Sequence, residues 1–144
     1  MPKSLHCPIT GVNIPRLLLS SITGFVFIFA LDFLIHGNLL NTTYEQTPQL
    51  WRDPDTMMSF FPYMLGTQFL IALITAFIFT RNYEGKGLGE GLRFGILLGL
   101  FMGVLMSASF AWMPISPMLA ASWFGSGVAT GLGLGLIFAL TYSK

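Results

Sequence analysis

The sequence predicts an all-α, four-transmembrane-helix bundle with both termini cytoplasmic, and three observations carry that expectation. Hydrophobic residues make up 53% of the 144 positions and charged residues only 9%, against roughly 25% charged in soluble domains. Four apolar runs each reach the length of about 20 residues that a helix needs to cross hydrocarbon. Six of the seven Lys and Arg residues fall on one side of those runs, and positive charge is retained on the cytoplasmic face.

The spans are expected at about 17–40, 57–80, 94–113 and 118–142, leaving a cytoplasmic N-terminal segment over 1–16 and a single four-span membrane domain over 17–144. The first run follows a polar stretch, exceeds a signal-peptide h-region in length and lacks a small-residue cleavage pattern after it, so it is read as a helix. Lys3, Arg16, Arg81, Lys86, Arg93 and Lys144 lie on the inner side; Arg52 alone lies outside. Trp51, Trp112 and Trp123 mark the outer interface, and Tyr83 and Tyr142 the inner one. In the outer loop, Thr47 followed by Pro48 predicts a short interfacial helix through Trp51, ended by Pro54. Asn41-Thr42-Thr43 has the form of a glycosylation sequon but lies too close to the membrane to be a good acceptor.

A formal net charge of +1, without a basic run or stripe, argues against nucleic acid as a partner. The single cysteine, Cys7, has no intrachain disulfide partner and no metal-ligand spacing around it. It is read as a free thiol.

Small residues recur every fourth position in the last two spans. Gly95, Gly99 and Gly103 in the third and Gly127, Gly131 and Gly135 in the fourth form glycine-zipper rows. Such rows let two helix backbones approach closely where lipid offers no hydrophobic drive. Gly87 and Gly91 are assigned to the inner loop and first turn. That loop contains GKG but not the phosphate-loop pattern, and no strand precedes it. Its charges are expected to form local pairs such as Glu90 with Arg93.

The stretch LDFLIHG, residues 31–37, carries the most unusual chemistry. Asp32 and His36 stand four apart, hence on one face of a helix, in the outer part of the first span. An ionised Asp at mid-bilayer costs on the order of 2.5–3.5 kcal/mol, and less toward the edge. Three readings compete. The pair ties the span to the outer loop through Tyr44 or Arg52; or it forms a proton, metal or polar-ligand site in an outward-facing pocket with Tyr44, Trp51 and Arg52; or His36 is an axial haem ligand. A zinc site would need further ligands from Glu45, Asp53 or Asp55, and a bis-His haem would need a second chain. No metal and no cofactor is therefore expected. Gln68, near mid-membrane in the second span, is expected to hydrogen-bond to another helix. Without a nucleophile triad or a metalloprotease pattern there is no catalytic set.

The segments DFLIHG, YEQTPQLWR, NYEGKGLGEGLRFG and MPISPMLAASWF, in this order, resemble a group of small bacterial four-helix integral membrane proteins of unassigned function, from about residue 30 to residue 125. The resemblance implies a bacterial inner membrane and four spans, and it implies no activity. The expected function is that of a small scaffold or accessory membrane protein without catalysis. Its partners would be the bilayer, a second copy of the chain or other membrane proteins. The alternative is a transporter or a ligand- or ion-binding membrane protein built on the pocket around Asp32 and His36.

Overall fold

A computed structural model describes residues 5–142. Helix α1 (Ile14–Asp32) has Pro15 in its first turn, where a missing N–H is no loss. Asn13 caps it, its Oδ1 accepting from the Arg16 N–H at 3.2 Å. This cap lies just ahead of the expected span boundary, so the helix begins at Ile14 instead of residue 17. After Asp32 the chain widens into a π-helical segment (Phe33–Leu39), closed by the Leu40 N–H on the Ile35 carbonyl at 2.8 Å. Gly37 and Asn38 are weak α formers, and the Asn38 amide takes the Phe33 carbonyl at 3.0 Å.

The loop beyond departs from expectation in two places. After α2 (Asn41–Glu45), only a 3-10 turn forms over Pro48–Leu50, and Thr47 does not cap it. The Thr47 hydroxyl instead accepts from the Trp51 indole N–H at 3.1 Å. Pro54 starts a helix, α3 (Pro54–Ser59), where the sequence reading has it end one. Asp53 is the reason: its Oδ1 caps α3 by accepting from the Thr56 N–H at 2.9 Å. The second span, α4 (Phe61–Arg81), therefore begins after a break at Phe60 and excludes Met57.

Gly87, at φ +66°, turns the chain into α5 (Leu88–Ser107), several residues ahead of the expected residue 94. The expected Glu90–Arg93 pair does not form. Glu90 is 8% exposed, and its carboxylate accepts from the backbone N–H groups of Glu84 and Lys86 at 2.7 and 2.9 Å, holding the loop closed. Glu84 pairs with Lys86 and lies 3.9 Å from Arg93. A 3-10 turn (Ala108–Ala111) ends this arm, and α6 (Pro117–Thr141) follows with Ser116 as its cap.

The described residues thus form an all-α chain with four helices, Ile14–Leu39, Phe61–Arg81, Leu88–Ala111 and Pro117–Thr141, each long and apolar enough to cross a membrane. Helix α6 sits at the centre, against α5 along its length and against α1 and α4 on its other side. Ile28, Ala72, Ala76, Phe79, Leu134 and Phe138 fill the space between α1, α4 and α6.

At the end of the bundle that holds the start of α1 and the end of α6, residues 5–13 fold back onto the helices. The Asn13 N–H donates to the Tyr142 hydroxyl at 3.2 Å, Ser20 and Thr141 share a hydroxyl bond at 2.8 Å, and the Arg81 guanidinium reaches the Thr10 carbonyl. Cys7 is a free thiol here. Lys3 and Lys144, two of the charges used to orient the chain, lie outside the described residues.

The glycine rows of α5 and α6 face each other, and all six glycines named from the sequence are buried. A Cβ on Gly99 would stand 2.7 Å from the Val128 carbonyl oxygen, and one on Gly103 2.7 Å from that of Phe124. Backbone meets backbone, with nothing flexible to move aside. Gly91, assigned to the loop from the sequence, belongs to the same seam: a Cβ there would stand 2.6 Å from Ala139 Cβ. Gly66, on α4, has open space where its Cβ would be. Gly99→Ala is expected to destabilise the fold by about 1–3 kcal/mol through overpacking, whereas Gly66→Ala leaves it unchanged or gains up to about 1 kcal/mol. Reversible unfolding in mixed micelles checks this, and equal behaviour of the two variants would contradict the seam.

Candidate functional site

Asp32 and His36 sit at the other end of the bundle and have separate partners. Asp32, in the last turn of α1, accepts from the Gln68 side-chain amide of α4 at 2.7 Å. His36, in the π segment, places Nδ1 2.6 Å from the Tyr44 hydroxyl of α2. Among the described residues the carboxylate and the ring share no hydrogen bond with each other; each is taken up by a different helix. Gln68 is 5% exposed, and its Oε1 and the Oγ of Ser126 are buried without a hydrogen-bond partner among the described residues.

Tyr44 is the hub of this end. Its oxygen accepts the indole N–H of Trp123, on α6, at 2.9 Å. An indole N–H can only donate, so the phenolic oxygen accepts there and its own proton is available for Nδ1 of His36 in the ring's Nε2–H tautomer. The π-helical segment, α2 and the distant α6 thereby meet at one phenolic oxygen. The rings add to it: Trp51 stands edge-on to Tyr44 at 5.0 Å and to Trp123 at 6.2 Å, geometries that aromatic pairs favour. Beneath them Ile115, Leu119 and Ala120 form a small apolar core with Leu40, Leu50 and Met113. Burial holds the Tyr44 phenol above its ordinary pKa, partly offset by the Trp123 hydrogen bond.

Arg52 is not part of this network. Its guanidinium lies 4.5 Å over the Phe60 ring. The five residues grouped from the sequence thus divide into an Asp32–Gln68 pair, a His36–Tyr44–Trp123 chain braced by Trp51, and an Arg52–Phe60 stack. Trp123 was legible only as an interface aromatic; its indole N–H, which needs an acceptor when half-buried, was the one signal of a wider role. The carboxylates proposed as extra ligands are engaged elsewhere, Glu45 by the Asn41 amide at 2.8 Å and Asp53 by its cap. Among the described residues no three His, Cys, Asp or Glu side chains come together in a metal-holding group.

Two outcomes are expected. Tyr44→Phe leaves the Trp123 N–H and His36 Nδ1 without their partner and costs about 1–3 kcal/mol. A phenol whose folded pKa is raised stabilises fully below the unfolded value of about 10 and loses that contribution as pH rises through the folded pKa. Wild type should therefore lose stability relative to Tyr44→Phe above about pH 10, measured by unfolding followed at the tryptophans. For the other pair, Gln68→Leu should destabilise by about 1–3 kcal/mol, and adding Asp32→Leu should recover most of that loss; a double-mutant cycle without coupling would break the pair. Comparison with protein-family models, with curated proteins and with solved structures finds no match to this chain.

Proposed function

We propose that the chain is a small, non-catalytic scaffold or accessory component of a bacterial inner membrane, with both termini cytoplasmic. One observation carries this reading: the hydrogen bonds of polar side chains within the spans are made inside the bundle, either between helices or to the backbone of their own helix. Asp32 is joined to Gln68 and Ser20 to Thr141, while Thr75 and Thr130 bond back to their own helices at 2.6 and 2.9 Å. Together with the α5–α6 seam, these bonds favour a rigid unit over one that alternates between states. The orientation rests on Arg16, Arg81, Lys86 and Arg93 sharing the end of the bundle opposite Arg52.

The partner-facing surface in this reading is α5. It packs chiefly on α6 and leaves Leu97 71% and Phe101 64% exposed, a strip open to lipid, to a second copy or to another membrane protein. Reconstitution into sealed proteoliposomes tests the proposal. Proton and cation fluxes should equal those of protein-free vesicles, and photo-crosslinking from position 97 or 101 in native membranes should give a discrete protein adduct. Gradient-driven flux that Asp32→Asn abolishes would replace the scaffold by a transporter.

A further inference from the structure

At the end of the bundle that carries His36, the loop after Leu50, helix α3 and the first turns of α4 enclose an open cavity of about 660 Å³. Ligand pockets commonly have volumes of roughly 300–1,000 Å³. Its walls are methionine and aromatic, chiefly Met57, Met58, Met64 and Phe61. Methionine packs against irregular apolar shapes with little loss. Trp51 and Tyr63 line it too, residue types that settle where hydrocarbon gives way to headgroups.

One cation borders this apolar trough. Arg52 holds its guanidinium carbon 4.5 Å from the centroid of the Phe60 ring and forms no ion pair among the described residues. A ring accepts the cation through its π face and takes up no lone-pair acceptor's place, so the guanidinium keeps N–H donors in the fork geometry that matches phosphate. Two exposed carboxylates follow it in the chain: Asp53, with one oxygen on the Thr56 N–H, and Asp55 in the first turn of α3. Beside the Arg52 that lines the cavity, the chain thus carries two negative charges on either side of the wall residue Pro54, which disfavours a headgroup with a net negative charge and suits one that bears both signs.

We propose that this cavity holds one bilayer phospholipid with an amine-bearing zwitterionic headgroup, its phosphate on Arg52, its ammonium toward Asp53 and Asp55, and an acyl chain along Met57, Met58, Phe61 and Met64. An ammonium with N–H donors can hydrogen-bond the two carboxylates; a quaternary ammonium cannot. The site would anchor the short helix α3 at the membrane surface.

Native mass spectrometry of the full chain, released from nanodiscs of matched acyl composition, tests this with phosphatidylethanolamine, phosphatidylcholine and phosphatidylglycerol as probes. One phosphatidylethanolamine per chain should be retained, about tenfold over the other two. Arg52→Gln should lower that retention about tenfold with helicity and unfolding midpoint unchanged, as expected for an exposed side chain. Met64→Trp, which fills the trough, should abolish retention. Equal retention of all three lipids, preference for phosphatidylglycerol, a lipid-free dimer, or unchanged retention in a folded Arg52→Gln would each overturn the proposal.

Discussion

The contact of backbone with backbone between α5 and α6 is the constraint on which the rest of the structure depends. In lipid there is no apolar drive to bring helices together, so association rests on close packing and interhelical bonds. The glycine seam supplies the first of these over nearly the whole length of both helices. It commits one face of α6 to α5 and turns the opposite face, with Leu134 and Phe138, toward α1 and α4. Gly24 of α1 fits there, where a Cβ would stand 3.0 Å from the Phe138 ring. The order of contacts is therefore hierarchical: a fused pair of helices, then a second pair docked on it through larger side chains.

Polar side chains do the remaining work, and they do it at the two ends. At the terminal end, Asn13, Ser20, Arg16 and Arg81 bond to Tyr142, Thr141 and Thr10. At the opposite end, Tyr44 gathers His36 and Trp123. Between them the core is mainly apolar, with Asp32–Gln68 near its edge and the buried Thr75 and Thr130 hydroxyls bonded to their own helices. Such a distribution keeps most of the desolvation cost close to water, where it is smallest.

Much of the fold was legible because hydropathy over about 20 residues reports a span regardless of its neighbours. The ends of spans were less so. Leu88 and Phe61 begin helices for reasons of turn chemistry: a glycine with positive φ in one case, and a break between two adjacent helices in the other. Asp32 and His36 stand out in the sequence as polar groups in an apolar run. Their partners do not, because a four-residue spacing describes a regular α-helix and the chain leaves that geometry at Phe33. Tyr44 was within reach as a neighbour in sequence, whereas Trp123 arrives from a helix 79 residues later. Arg52 was grouped with them by proximity along the loop, and its stacking on Phe60 depends on a helix, α3, that the sequence pattern did not suggest.

The fastening of residues 5–13 and α1 to Thr141 and Tyr142 has a consequence for how the chain is made. Synthesis delivers α1 first and its fasteners last, since Tyr142 lies 129 residues beyond Asn13. Until α6 has entered the bilayer, Ser20 and the capped start of α1 have only local backbone groups to bond. The first helix can already meet α4 through Asp32 and Gln68, but its start gains its partners, and the four spans their final arrangement, only once the end of α6 has been made. The start of α1 is thus secured by the span made latest of the four, not by those that enter the bilayer directly after it.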